Sequence, residues 1–205
     1  MIRLAHAHQE WALGFLDEVW WSRFAQPKMH SWAPDGRPLR LEEQSQDSDD
    51  DEPKALSCYG VLLEEDNVLL EEDNKQEMLL RFVEERPVSS VTTRFLEWVC
   101  QRLSERGKRV WALVWDRASW HTSHEVRDWI RAHNAEVKCT GEGVRIIACL
   151  LPSKSPWLNP IEPKWLHGKR AIVEPNGTLS IDQVMDRVCA HYDCDRLDPI
   201  AKKTT

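Results

Sequence analysis

Two short apolar runs constrain the fold of this chain most. They are Val110–Asp116, which ends in a carboxylate, and Arg145–Leu151. Runs of this length are shorter than most helices and are typical of strands that are buried on both faces. Amphipathic helical patterns precede and follow them, over Ser89–Arg106, from Thr122 onward and over Ser180–His191. Alternation of this kind predicts strands of one sheet with helices packed on it.

The N-terminal part of the chain predicts three more strands. Glu10–Phe24 alternates so that Asp17 shares the core-facing side of its strand with apolar residues. His30–Leu41 and Lys54–Leu63 also have extended patterns, and short turns between these three segments favour antiparallel pairing. The predicted order is β-β-β-α-β-α-β-α. We therefore expect one α/β domain over residues 1–205, with a mixed five-stranded sheet, three antiparallel strands followed by parallel ones, and helices on both faces.

The charge of the chain is unevenly distributed. The net charge is −7, which taken alone disfavours a nucleic-acid partner. Residues 42–85 hold 16 acidic and three basic residues, a charge of −13, so the remaining residues carry +6. Residues 42–53 are expected to be an acidic loop. The rest of the chain is therefore compatible with a phosphate backbone.

A duplicated heptad lies within this acidic region. The sequence VLLEEDN occupies residues 61–67 and recurs unchanged at residues 68–74. Two copies are too few for a solenoid. A period of seven also fits two turns of an amphipathic helix, but we favour a local tandem duplication that the fold tolerates as a surface insertion at residues 61–74.

Three carboxylates stand where apolar strands end or a helix begins. They are Asp17, Asp116 and Glu162, the last just after the Asn159-Pro160 helix start. A charge at the end of a buried strand is costly unless it is compensated. Hard cations such as Mg²⁺ bind oxygen ligands and use few protein carboxylates. The three acids therefore predict a metal site, loose or partly protonated without its cations.

Each acid also has a structural interpretation. In that interpretation Asp17 pairs with a buried arginine, and Glu18 replaces it as the ligand if the strand register is shifted by one residue. Asp116 would then cap the loop after its strand. Glu162 would occupy the capping-box position of a helix that Asn159 opens. The spacing leaves these alternatives open.

Three sequence motifs resemble those of a known family. Residues 114–121 (VWDRASWH) resemble the second-aspartate motif of mariner-like DDE transposases of the bacterial insertion-sequence branch. Residues 151–165 (LPSKSPWLNPIEPKW) resemble their third-acid motif more closely. Residues 16–18 (LDE) followed by residues 32–38 (WAPDGRP) resemble the first-aspartate region. The motifs occur in the family's order and cover most of the chain.

The resemblance implies an RNase H-like fold and a DNA transposase that cleaves and joins DNA strands. It implies that Asp17, Asp116 and Glu162 bind Mg²⁺ or Mn²⁺, with two ions expected, and that His121 and Asn159 support this site. It also implies DNA as the partner, both transposon ends and target, and allows a homodimer. The candidate phosphate contacts are Lys154, Lys164, Lys169 and Arg170.

Other functions remain compatible with the sequence. Met1 lies close to the first motif, so we expect no N-terminal helix-turn-helix, and a truncated remnant that binds DNA or a partner without catalysis is the main alternative. An RNase H-like nuclease acting on RNA–DNA hybrids is a third. No apolar run has the length of a membrane span, and no signal peptide is evident, so we expect a cytoplasmic protein.

Overall fold

A computed structural model describes residues 5, 7–24, 51–65, 75–153, 155–172 and 178–202. Within these residues, five strands and four α-helices are present, with a short 3₁₀ turn at Pro156–Leu158. None of the helices described is long and apolar enough to cross a bilayer. In chain order the elements are β1 (Trp11–Ser22), β2 (Ala55–Glu65), β3 (Lys75–Val83), α1 (Ser89–Glu105), β4 (Val110–Trp115), α2 (His124–Thr140), β5 (Arg145–Leu150), α3 (Ile161–Ile172) and α4 (Ile181–Tyr192).

The strands form one mixed sheet in the order β3-β2-β1-β4-β5. β1 pairs antiparallel with β2, and β2 pairs antiparallel with β3. On its other side β1 pairs parallel with β4, and β4 pairs parallel with β5. The predicted sheet, antiparallel in its first three strands and parallel in the rest, is confirmed.

Helices cover both faces of this sheet, as predicted. On one face, Leu13, Phe15 and Val19 of β1 pack with apolar side chains of α3 and α4. On the other face, Ala12 and Leu16 of β1 pack with apolar side chains of α1 and α2. Alternation along β1 therefore sends successive side chains into two different cores, so both faces of the central strand are buried.

The third antiparallel strand lies later in the chain than the sequence indicated. It is β3, Lys75–Val83, whereas the predicted strand at His30–Leu41 lies outside the described residues. Met78, Leu79 and Leu80 are consecutive and all buried, because β3 is covered on both faces. Such a strand lacks the polar alternation that identifies a half-exposed one, and it directly follows the acidic repeat.

Two helix starts also differ from the predicted ones. Ser123, not Thr122, caps α2, because its side chain accepts a hydrogen bond from the backbone N–H of Val126. The first α-helical residue of α3 is Ile161, and the side chain of Asn159 is used elsewhere. By contrast, Ser180 opens α4 with a complete capping box, close to the predicted start.

The duplicated heptad is divided by the fold. Residues 61–65 of the first copy belong to β2, where Val61, Leu62 and Leu63 are buried in the core. For this copy, the prediction of a surface insertion is therefore wrong, and so is the alternative of an amphipathic helix. The second copy and most of the acidic loop at residues 42–53 lie outside the described residues.

Candidate active site

The register of the sheet brings Asp17 and Asp116 to one edge. The parallel pairing of β1 with β4 ends at Phe15 and Val114. Asp17 lies two residues after Phe15, and Asp116 lies two residues after Val114. Side chains two residues apart along a strand point to the same face of the sheet. Both aspartates therefore lie on the face that α3 and α4 cover, as Phe15 and Val114 do. Both lie just beyond the point where the parallel pairing of β1 with β4 ends, Asp17 within β1 and Asp116 directly after β4.

Asn159 fixes the start of α3 against this edge. Its buried side-chain amide donates a hydrogen bond of 3.2 Å to the backbone carbonyl of Leu16, the residue before Asp17. Glu162, the second residue of α3, donates its backbone N–H to the Asn159 carbonyl. Asp17, Asp116, Asn159 and Glu162 all line one cavity of about 390 Å³. The structure therefore brings the three predicted acids together around a single space.

Asp17 is partly buried and tethered by α3. Its Oδ2 accepts a hydrogen bond of 3.1 Å from the indole N–H of Trp165. Trp165 can approach because Gly60, the β2 partner of Asp17, has no side chain: a Cβ there would lie 2.6 Å from Trp165 Cζ2. Burial, then the charges of Glu18 and Glu162, raise the pKa of Asp17 to about 8. This agrees with the expected partial protonation without cations.

Asp116 is held by the loop that follows β4. Its Oδ1 accepts hydrogen bonds from the backbone N–H of Ala118, at 2.9 Å, and from Nδ1 of His121, at 2.7 Å. The hydrogen bond from His121 is the main reason why the pKa of Asp116 lies below its usual value, although burial opposes it. Asp116 therefore caps its loop, as the structural interpretation held, and also lines the cavity.

Glu18 lies on the opposite face of β1 from Asp17. Its Oε1 accepts hydrogen bonds from His121 Nε2, at 2.7 Å, and from the indole N–H of Trp120, at 3.1 Å. Burial alone would lower the pKa of His121, but the charge of Glu18 and the hydrogen bonds to Asp116 and Glu18 raise it to about 9. Asp17 lines the cavity and Glu18 does not, so the observed register favours Asp17 as the candidate ligand.

The donor set of the cavity fits a hard divalent cation. The acids present only oxygen atoms, and the charges of Glu162 and Asp116 both contribute to the raised pKa of Asp17. Across the described residues, Oδ2 of Asp17 accepts a hydrogen bond from Trp165, and Oδ1 of Asp116 accepts hydrogen bonds from Ala118 and His121. In the same residues, no three His, Cys, Asp or Glu side chains are close enough to enclose an ion. Mutual repulsion accounts for such spacing, and bound cations would relieve it.

Three of the four predicted phosphate contacts are not part of the cavity wall. Lys164, Lys169 and Arg170 lie on α3 but do not line the cavity, and Lys154 is outside the described residues. Arg117 does line it. The Arg117 Nε donates a hydrogen bond of 3.1 Å to the Leu151 carbonyl, which joins the ends of β4 and β5.

Sequence reasoning missed the contacts of three residues. They are Arg117 at the cavity wall, Trp165 on Asp17, and Glu18 on His121. Arg117 and Trp165 both stand inside the recognised motifs, beside Asp116 and after Glu162. Their position was therefore a usable signal. The contact of Glu18 with His121 joins residues 103 apart in sequence, and local patterns carry no information about it.

Comparisons with known proteins show the family and the fold. The family model of the DDE superfamily endonucleases matches residues 12–184. No curated protein matches the chain. A structure of the Mos1 transposase paired-end complex with the left transposon end has a TM-score of 0.56 at 14% identity, and covers 91% of this chain and 48% of its own.

Two further Mos1 structures are similar. A pre-cleavage Mos1 transpososome has a TM-score of 0.55 at 12% identity and covers 91% of this chain and 49% of its own. A Mos1 mariner paired-end complex with Mn has a TM-score of 0.50 at 13% identity, with coverage of 91% and 48%. The chain thus spans about half the length of these transposases. At such identities the likeness shows the fold, which is the expected RNase H-like fold; the bacterial branch stays a prediction. The chain belongs to the DDE superfamily of endonucleases.

Proposed function

We propose that this chain is the catalytic domain of a DNA transposase, which cleaves DNA and joins strand ends during transposition. Asp17, Asp116 and Glu162 are its catalytic acids and bind Mg²⁺ or Mn²⁺, two ions in the full site. One observation carries the proposal: acids from β1, from the end of β4 and from the start of α3 line the same cavity.

The similar structures support both DNA and a divalent cation as partners. One holds a transposon end and another holds Mn, each in a Mos1 transposase about twice as long as this chain. Recognition of transposon ends, choice of target and pairing into a homodimer belong to the whole transposase, and for this chain they are proposals.

The residues of the cavity have separate tasks in this reaction. Bound cations supply activation of the attacking oxygen and stabilisation of the leaving oxygen in an in-line displacement at phosphorus. Trp165 holds one oxygen of Asp17, and the loop after β4 holds one oxygen of Asp116. Arg117 supplies a positive charge at the cavity wall, where the phosphate of a DNA strand would lie. No covalent protein intermediate is required.

The test is divalent-dependent nicking of plasmid DNA by Asp116→Asn and Glu162→Gln. Both changes keep the side-chain shape and remove a charge. We expect each to lower the nicking rate by more than about 100-fold, because even changes to groups behind a metal ligand cost roughly 10–100-fold. Asp128→Asn is the matched control: Asp128 is exposed on α2, paired with Arg131, and should nick at the wild-type rate.

Three outcomes contradict the proposal in different ways. If Asp116→Asn still nicks DNA, the site assignment is wrong. If the wild-type chain binds DNA but neither nicks it nor binds Mn²⁺, the chain is a remnant without catalysis. If an RNA–DNA hybrid is cut faster than duplex DNA, the substrate class is wrong.

A further inference from the structure

His121 connects the two faces of the sheet at the edge of the site. Its Nδ1 lies 2.7 Å from Oδ1 of Asp116, which faces the cavity, and its Nε2 lies 2.7 Å from Oε1 of Glu18, on the opposite face of β1. The histidine and Glu18 are both buried, with exposed side-chain fractions of 0% and 7%. Hydrogen bonds this short and this well shielded from water restrict the partners strongly.

Neighbouring aromatic rings fix the orientation of the imidazole. The His121 ring stacks on Trp115, the last residue of β4, with centroids 4.6 Å apart and planes 17° apart. Trp120 donates its indole N–H to the same Glu18 oxygen that His121 contacts. The His121 ring is therefore stacked on Trp115 on one face and hydrogen-bonded at both of its nitrogen atoms.

The direction of the hydrogen bonds follows from the partners. An ionised carboxylate only accepts hydrogen bonds, so each ring nitrogen of His121 that faces such a carboxylate donates its N–H to it. Together with the backbone N–H of Ala118, His121 occupies Oδ1 of Asp116. Rotation of this carboxylate would break both hydrogen bonds, so the orientation of Asp116 toward the cavity depends on the chain of contacts that ends at Glu18.

We propose that Glu18, His121 and Trp120 are positioning residues that hold Asp116 in the orientation in which it binds a divalent cation. Glu18 acts through His121 from the face of the sheet opposite the cavity and is not itself a ligand. This inference rests on the proposed function. It assigns separate roles to Asp17 and Glu18, two adjacent acids that the sequence alone does not distinguish.

The test measures Mn²⁺ binding by the full chain with calorimetry, without DNA. Glu18→Gln keeps the shape and removes the charge that anchors the ring. His121→Phe keeps a ring on Trp115 and removes both nitrogens. We expect each change to weaken Mn²⁺ affinity roughly tenfold or more, the usual cost of removing a group that orients a metal ligand.

A second histidine offers a matched control. His133 on α2 stacks on Trp129 at 5.0 Å and 12°, and its Nε2 lies 2.8 Å from the Val144 carbonyl. His133→Phe therefore removes a comparable stacked and bonded imidazole away from the cavity. We expect it to lower the melting temperature about as much as His121→Phe does, while Mn²⁺ affinity stays at the wild-type value.

The outcomes separate the inference from the proposed function. If Asp116→Asn loses Mn²⁺ binding but Glu18→Gln and His121→Phe bind as wild type, the site is right and the positioning role is overturned. If Glu18→Gln, His121→Phe and the control His133→Phe all lose Mn²⁺ affinity equally, the effect is general destabilisation. The positioning role is then overturned as well.

A measurement that needs no metal covers the case in which the wild-type chain binds no Mn²⁺. Imidazole ¹H–¹⁵N spectra of the wild-type chain should show both ring N–H protons of His121 protected from exchange, one facing each carboxylate. A single protected proton would overturn the bridge. If the wild-type chain binds no Mn²⁺, the proposed function fails, and these spectra still decide whether His121 joins Glu18 to Asp116.

Discussion

Adjacent residues of β1 have opposite surroundings. Asp17 faces α3 and lines the cavity, while Glu18 faces the loop after β4 and contacts His121 and Trp120. Strand alternation is the cause, because one residue along a strand reverses the face. A shift of β1 by one residue would exchange the two acids and remove both from their partners, which makes the register of this strand essential to the site.

Arg117 leads to a prediction about DNA affinity. It is a basic residue of the cavity wall, so we expect Arg117→Ala to weaken DNA binding and to lower the slope of log affinity against log salt by about one, the value for one lost phosphate contact. Fluorescence anisotropy with labelled duplex DNA over a salt series measures both quantities.

The control for this change is Arg131→Ala. Arg131 is exposed on α2 and paired with Asp128, away from the cavity. An equal loss of affinity in both variants would mean that Arg117 contributes only to the overall charge of the chain.

Local sequence was enough to place two candidate acids beside one another, while their roles stay predictions. Asp116 and Glu162 stand within specific motifs, and the structure places both on the cavity wall. Trp165 and Glu18 act through hydrogen bonds to Asp17 and Trp120, which lie 148 and 102 residues away. These contacts form only when the sheet has assembled, so local patterns do not show the partners, although Trp165 itself stands inside the third-acid motif.

At the scale of elements, α3 packs closely on the sheet because β2 carries a glycine. Gly60→Ala would place a methyl group against the Trp165 ring, at 2.6 Å from Cζ2. We expect this change to lower the free energy of unfolding by about 1–3 kcal/mol, the usual cost of overpacking a core. Chemical denaturation followed by circular dichroism measures it.

A double variant tests whether the ring is the cause. Trp165→Phe provides a smaller ring, so Gly60→Ala should cost less in that background than in the wild type. Equal costs in the two backgrounds would show that the methyl group is tolerated near Trp165 and that Gly60 is needed for another reason.

The duplicated heptad leads to a prediction about the hairpin of β2 and β3. Glu65 pairs with Lys75 at the end of the ladder, so nine residues connect these strands. Deleting either copy of VLLEEDN gives the same chain, in which Asp66-Asn67 alone would join Glu65 to Lys75. Two-residue connections of Asp and Asn favour the tight turns of β-hairpins.

We therefore expect the deletion to preserve the fold and to raise the melting temperature by no more than about 4 °C, since a shorter loop costs less entropy to close. Thermal melting by circular dichroism provides the measurement. A fall of many degrees would show that the second copy contributes contacts to the folded chain.

Element prediction gave most bounds correctly and failed where a repeat intervened. It was also wrong about the burial of β5, which is an edge strand in which Ile146 alone is buried, whereas both faces were expected to be covered. α1, β4 and β5 all lie within a residue of their predicted bounds. β3 was missed because both of its faces are covered and its pairing partner is set by sheet register rather than by its own pattern.

On the scale of the whole molecule, β1 separates the antiparallel half of the sheet from the parallel half. Helices cover each face, but they leave a cavity where the parallel pairing of β1 with β4 ends, beside Asp17 and Asp116. Crevices at the carboxyl ends of parallel strands are common sites of ligand binding in α/β sheets. The position of the proposed site therefore follows from topology as well as from the motifs.

The outer edge of β3 is covered at its C-terminal end, by Asp198 and Ile200. The backbone N–H of Ile200 donates to the Phe82 carbonyl at 2.7 Å, Glu84 donates back to the Ile200 carbonyl, and Arg81 donates to the Asp198 carbonyl. This cover is synthesised more than a hundred residues after the strand that it protects. During translation, β3 would therefore present unpaired backbone groups to other nascent chains, and aggregation at this edge competes with folding until Ile200 docks.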